Sequence, residues 1–261
     1  MSTNHESGHA INIANMELLA SICVEHGESF NPSKSILKLD SVNPLIATAK
    51  TTLEDLKEKF TNYTKAVDAR EELFEPLSKF VTRLMNSLAS SDAPEKTTED
   101  AKTISRKIEG QRATKKSKNA LDAFIESTHK VSADIENTTN PAEVAHKEIS
   151  ASQMSFDNRV DNFEKLVSLL ASETGFAPNE ADLKVTALNV KLSDLKAKNS
   201  AVVSCFAKLS KSRIERNKIL YDEKKGLYEV AMEIKAYIKS VFGATSPEYK
   251  QVSKIKFTKP R

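Results

Sequence analysis

Histidine and cysteine, the side chains that most often carry chemistry, are few in this chain. Five histidines occur, and none stands near a cysteine at the spacing of a zinc site. Glu143 and His146 form a Glu-x-x-His sequence, which is half of the ligand set of a carboxylate-bridged di-iron centre. That chemistry needs two such sequences and two further glutamates inside one helical bundle. Because only one copy is present, the sequence predicts no metal site and no cofactor.

Catalytic motifs are also missing from the sequence. It has no glycine-rich phosphate loop, no nucleophile elbow and no kinase signature. Aspartate and glutamate are abundant, but they are spread along the polar faces of predicted helices. Cys23 and Cys205 are interpreted as reduced thiols rather than as a disulfide. The sequence therefore favours a protein that is not an enzyme, and it indicates no small-molecule substrate.

Two arginines, Arg70 and Arg216, fall on helix faces that are otherwise apolar. A charge on such a face costs free energy unless it is paired or its long side chain reaches solvent. Each arginine could bind a carboxylate or free backbone carbonyls and so set the register of packed helices, which is the interpretation we favour. Alternatively, the two could form one anion-binding site, reinforced by Arg213 and Lys218.

Two basic segments, residues 102–118 and 250–261, contrast with a formal net charge of only +3. The simpler interpretation is a solvated linker and a solvated tail. The alternative is contact with nucleic acid, anionic lipid or an acidic partner, in which Tyr249 and Phe257 could stack on bases. The candidate contact residues are Arg106, Lys107, Arg112, Lys115, Lys116, Lys254 and Lys256.

The composition predicts long helices. The 261 residues include only 6 glycines and 8 prolines, and lysine, glutamate, alanine, leucine and serine dominate. Such a chain has few turns and strong helix propensity. No stretch approaches the roughly 18 apolar residues of a membrane span, and the first residues do not resemble a secretory signal. We therefore expect a cytoplasmic protein.

The apolar periodicity predicts where the longest helices lie. Apolar residues recur at alternating steps of four and three, which is the pattern of helices that pack side by side at shallow angles. The first run continues in the same register to Leu88, and Pro76 interrupts it, which predicts a kink or a new helix after residue 75. The first run contains Val42, Ile46, Ala49, Leu53, Leu56, Phe60, Tyr63 and Val67, and a second contains Leu188, Leu192, Leu195, Val202, Phe206 and Leu209.

The two runs belong to a longer internal repeat. Residues 15–22 resemble residues 162–169, and at a spacing of 146 there are nine identities, from Phe30 with Phe176 to Arg70 with Arg216. The sequence thus predicts an all-α fold of two homologous long-helix bundle units that arose by internal duplication. The predicted divisions are a disordered lead (1–10), a first repeat unit (11–110), a basic and partly helical connector (111–154) and a second repeat unit with a basic tail (155–261).

The second half of the chain also carries a family resemblance. The segments that begin Ser152-Gln-Met-Ser-Phe-Asp-Asn and Tyr237-Ile-Lys-Ser-Val-Phe-Gly are similar to those of an uncharacterised family of duplicated all-helical proteins from Bacteroidetes bacteria. The similarity is greatest over residues 152–257. It implies a bacterial origin and a helical fold, and it implies no activity.

These observations predict a non-enzymatic, cytoplasmic helical scaffold or protein-binding module. Its expected partner is another protein or a second copy of the chain. The alternative is a nucleic-acid-associated protein that uses residues 102–118 and 250–261. Membrane insertion is disfavoured, because the chain has no long apolar hairpin.

Overall fold

The computed structural model describes residues 4–110 and 154–259, and within these ranges every regular element is helical. The predicted all-α class is confirmed for this part of the chain, which has no strand. The helices are α1 (Asn4–Glu25), α2 (Leu39–Phe74), α3 (Leu77–Ala89), α4 (Glu95–Glu109), α5 (Phe156–Ser172), α6 (Val185–Tyr221), α7 (Leu227–Phe242) and α8 (Pro247–Ser253).

Local sequence explains where several helices begin and end. As predicted, α2 stops before Pro76 and α3 begins directly after it, because a proline inside a helix removes a backbone hydrogen bond and crowds the preceding turn. Pro44, near the start of α2, is accommodated within the helix. Gly110 ends α4 in the left-handed conformation, with φ at 70°. Ser155 and Ser246 cap α5 and α8 by accepting backbone N–H bonds from Asn158 and Tyr249.

Residues 4–10 differ from the expectation of a disordered lead, because α1 begins at Asn4. His9 is buried, and its Nδ1 lies 2.6 Å from the hydroxyl oxygen of Tyr221. The polar composition that suggested disorder therefore belongs partly to side chains with tertiary partners. The predicted connector, residues 111–154, lies outside the described residues except for Met154, whose sulfur lies beside Gly110.

The chain divides into two compact units that cut across the predicted repeats. The first unit comprises Met1–Lys65 and Val203–Arg261, and the second comprises Ala66–Val202. Each of the long helices α2 and α6 contributes to both units. The first unit therefore combines the front of the first repeat with the back of the second, and the second unit combines the remaining parts.

Each unit has its own apolar core. In the first unit, α1 and α8 both pack against α7. In the second unit, α4 packs against both α3 and α5. Leucine, isoleucine and valine dominate both cores, and burying each such side chain contributes about 1.5–3 kcal/mol. Residues buried in the first core include Met16, Leu19, Val42, Val230 and Ile234, and those in the second include Phe74, Leu84, Phe163, Leu166 and Leu188.

Candidate binding surfaces

Arg70 lies half-buried in the second unit. Its guanidinium carbon lies 3.8 Å from the centroid of the Phe156 ring, and its Nη1 donates a 3.2 Å hydrogen bond to Oδ1 of Asn199. The amide of Asn199 in turn donates to Asp157 at 2.5 Å. Arg70 was expected to meet a carboxylate or backbone carbonyls, and among the described residues it is linked to the carboxylate of Asp157 through this amide.

Arg216 lies in the first unit and is buried, with 7% of its surface exposed. Its Nε and Nη2 donate to Oδ1 of Asn217 at 3.1 and 3.0 Å. Burial raises the pKa of Tyr221, and the positive charge of Arg216 partly offsets that rise. Arg213, half-buried, and Lys218, exposed, lie on the same helix. Because Arg70 and Arg216 belong to different units, each has its own set of partners.

A buried polar cluster on α1 was not predicted. Asn12 is fully buried in the first unit, and its amide nitrogen donates to the hydroxyl of Tyr221 at 3.3 Å and to the carbonyl of Thr258 at 2.7 Å. Its Oδ1 accepts the backbone N–H of Thr258 at 3.0 Å. A sequence signal existed, because His9, Asn12 and Asn15 recur at steps of three among the apolar residues in the middle of α1. Nothing in the sequence identified their partners.

The second basic segment is packed against the first unit, at least through residue 259. Ile255 is buried and Phe257 is half-buried. Lys254 and Lys256 are exposed, whereas Nζ of Lys259 lies 3.3 Å from Oε1 of Glu229. The segment therefore has an anchored backbone rather than the form of a solvated tail.

The two aromatic rings expected to stack on bases are engaged with the protein. Tyr249 and Phe257 pack against the core of the first unit. The ammonium of Lys239 lies 5.6 Å from the Tyr249 ring centroid, and that of Lys235 lies 5.5 Å from the Phe257 centroid. Base stacking would therefore require both rings to leave these contacts.

The first basic segment is only partly described. Lys102 and Lys107 are exposed on α4, and Arg106 is half-buried. Arg112, Lys115 and Lys116 lie outside the described residues. The structure therefore gives no surface for most of this predicted contact region.

Part of the predicted apolar runs on α2 and α6 is exposed in the first unit. We call Phe60, Tyr63, Val203 and Phe206 the aromatic face. Phe60 and Phe206 expose 53% and 52% of their surfaces, and Val203 exposes 62%. The Tyr63 and Phe206 ring centroids lie 5.9 Å apart, which links α2 to α6 across this face. The periodicity placed Phe60, Tyr63 and Phe206 on packed helix faces, but within the described residues Phe60 and Phe206 are about half exposed.

The cysteines and the metal-ligating side chains of the described residues form no metal-binding cluster. Both cysteines are free, and burial raises the pKa of the Cys23 thiol to about 12, which leaves it unreactive. Within residues 4–110 and 154–259, no three metal-ligating side chains come together; Glu143 and His146 lie outside these ranges. A groove of about 560 Å³ in the second unit is bordered by Arg83, but that guanidinium is held in two hydrogen bonds by Asp182.

In the part of the chain that the structure describes, no helix combines the length and apolar character needed to cross a bilayer. No protein-family model, curated protein or solved structure matches this chain. The resemblance to the Bacteroidetes family therefore stays a prediction, and a function has to be inferred from the surfaces themselves.

Proposed function

We propose that this chain is a non-enzymatic helical scaffold, built by internal duplication, that binds another protein through the aromatic face. The observation that carries the proposal is the exposure of large apolar side chains on two long helices. Aromatic residues are enriched at protein interfaces, because they bury much apolar area with few rotatable bonds.

The spacing of the aromatic face favours a helical partner. Val203 and Phe206 are three residues apart on α6, and Phe60 and Tyr63 are three residues apart on α2, so each pair lies on one side of its helix. The Tyr63–Phe206 contact joins the two pairs into one surface. A partner helix with apolar residues at steps of three and four would bury its own stripe against this surface.

The proposed duplication is supported by positions 147 or 146 residues apart. Leu19 and Leu166 are both fully buried, and each lies six residues before the last residue of its helix, Glu25 or Ser172. An ion pair joins Glu17 of α1 to Lys50 of α2, and the equivalent Glu164 and Lys196 are 2.6 Å apart between α5 and α6. A scaffold made of two copies needs only packed helices and no reactive site.

The test changes the face without touching either core. Phe60→Ser and Phe206→Ser together should weaken partner binding at least about tenfold, because interface energy concentrates in a few aromatic anchors. Val190→Ser is the matched control, since Val190 is an exposed apolar residue, at 62%, but belongs to the second unit. A photo-crosslinking residue at position 206 would capture the partner, and calorimetry with that purified partner would measure the affinities.

Two results would overturn the proposal in different ways. Equal binding of a captured partner by the parent and the double serine variant would remove the aromatic face from the interface. Binding of nucleic acid that falls steeply with salt, and that is lost when Lys254, Lys256, Lys259 and Arg261 are changed to serine, would favour the nucleic-acid alternative. If crosslinks at position 206 join two copies of the chain, the partner is the chain itself.

A further inference from the structure

Residues 254–259, called here the strap, make backbone contacts of a kind that proteins use to bind extended peptides. The strap follows α8 and contains no helix or strand. The carbonyls of Lys256 and Thr258 face α1, where Asn15 and Asn12 each donate at 2.7 Å. The carbonyl of the preceding residue, Ile255, accepts instead from Lys235 on α7. Alternation of backbone carbonyls between two sides is the geometry of an extended chain.

Asn12 is the centre of this arrangement. It both accepts the N–H of Thr258 and donates to the carbonyl of the same residue, at 3.0 and 2.7 Å. A single amide side chain therefore satisfies both polar groups of one peptide residue. Asn12 is fully buried, and a further bond to Tyr221 fixes its orientation. Asn15 lies three residues further along the same face of α1, and it donates to the carbonyl of Lys256, two residues before Thr258 in the strap.

The side chains of the strap are recognised less completely than its backbone. Ile255 is buried, Phe257 is half-buried, and Lys259 pairs with Glu229 of α7. Lys254, Lys256 and Thr258 are exposed. We call the surface of α1 and α7 that holds the strap the seat. The seat thus specifies an extended backbone, an aliphatic residue, an aromatic residue two positions later and a basic residue after a further two. Intervening positions are open to variation.

We propose that the seat between α1 and α7 is a binding site for an extended segment of a partner protein with this aliphatic, aromatic and basic pattern, and that the strap occupies the site as a built-in competitor. The site lies on a different surface from the aromatic face, so this inference goes beyond the proposed scaffold function and does not depend on it. The strap is tethered next to the seat, so its effective concentration there is high. A partner segment therefore binds well only when the strap is released.

The experiment releases the strap in the full chain and adds its sequence in trans. Thr258→Pro removes the N–H that Asn12 accepts and leaves that buried acceptor unpaired. Such a loss should raise the open population about tenfold or more. The probe is a fluorescein-labelled peptide of residues 250–259, followed by fluorescence anisotropy. We expect it to bind the Thr258→Pro chain at least about tenfold more tightly than the parent chain, in which the strap competes.

Asparagine variants separate recognition of the peptide backbone from nonspecific peptide binding. Adding Asn12→Leu to Thr258→Pro should abolish peptide binding although the strap is free. Asn15→Leu added to Thr258→Pro should weaken peptide binding, because Asn15 is the second donor to the strap. The matched control is Asn162→Leu. Asn162 is the position on α5 that corresponds to Asn15, and its amide donates to the carbonyl of Asn158 in its own helix. That control should leave peptide binding unchanged.

Strap release is measured independently by limited trypsin digestion after Lys254 and Lys256, with circular dichroism to confirm that each variant is folded. If Thr258→Pro does not speed cleavage, the asparagine clip does not hold the strap and the proposal fails. If cleavage is faster but the peptide does not bind, or binds the Asn12→Leu chain equally well, the seat does not recognise extended backbone. Concentration-dependent self-association of the parent that Asn12→Leu abolishes would assign the seat to a second copy and overturn the partner-protein version.

Discussion

Helices α1 and α5 match in their apolar faces and differ in their polar ones. Leu19 and Leu166 are fully buried at equivalent positions, and each helix is joined to the next long helix by a Glu–Lys ion pair. Asn12 of α1, in contrast, corresponds to Arg159 of α5. Asn12 binds the strap, whereas Nη2 of Arg159 donates to the carbonyl of Phe74 at 3.1 Å, at the end of α2.

The two units therefore resemble each other in core packing but differ in their polar surfaces. Both polar residues satisfy backbone groups that no helix would otherwise satisfy, since the last carbonyls of a helix lack partners just as an extended segment does. The arginine closes the end of a neighbouring helix, while the asparagine holds a separate segment. Within the described residues, the proposed seat for an exchangeable peptide therefore lies in the first unit.

The largest expected effect tests whether the two cores are equivalent. Leu19→Ala and Leu166→Ala should each lower the free energy of unfolding by about 2–5 kcal/mol, because each leaves a cavity in a packed core. Urea unfolding followed by circular dichroism measures the loss. Leu18→Ala is the control, since Leu18 exposes 51% of its surface, and its effect should stay within about 0.5 kcal/mol. A silent change at either core leucine would contradict the shared packing scheme.

The next largest losses of stability should come from replacing Arg70 and Arg216. Arg216→Ala should cost about 1–3 kcal/mol, because the side chain is buried and hydrogen-bonded. Arg70→Ala should cost less, about 0.5–2 kcal/mol, mainly through the lost contact with the Phe156 ring. Thermal and urea unfolding of the two variants measure the difference. If both melt like the parent, the arginines do not contribute to packing and their register on the apolar face has no structural meaning.

The two equivalent ion pairs should have small and equal effects. Glu17→Gln and Glu164→Gln should each destabilise by about 0.2–1 kcal/mol, since all four side chains are about half exposed. Raising the salt concentration should reduce both effects, because solvent ions screen exposed charges. Urea unfolding at low and high salt tests this expectation. A large effect at only one of the two pairs would show that the units depend on them differently.

The smallest effect concerns the loop before each long helix. Lys34 binds Glu233 of α7 in the first unit, and Asp182 binds Arg83 of α3 in the second, so the charges are reversed. The hydrogen bond from Arg83 lowers the pKa of Asp182. Any stabilisation from this pair is therefore present above the ordinary carboxyl pKa and is lost as the pH falls through the lowered value. An NMR titration should show a higher pKa for Asp182 in Arg83→Gln, and an unchanged pKa would contradict the pairing.

The sequence predicted the elements well because their signals are local. The steps of three and four marked the long helices, Pro76 marked the break between α2 and α3, and Gly110 marked the end of α4. These effects depend on residues within one or two turns. The same local reasoning misjudged residues 4–10 and 254–259, where polar composition suggested disorder or solvation.

The helical class and the apolar face of each long helix follow from the sequence alone, and the correspondence of the two halves is a prediction made from it. Which parts of those faces are covered depends on tertiary packing, because periodicity identifies a face but not what packs against it. Phe60 and Phe206 keep the seam spacing and are nevertheless exposed. Asn12 and Thr258 are 246 residues apart in the chain, and no local pattern can pair a buried amide with a backbone group at that distance.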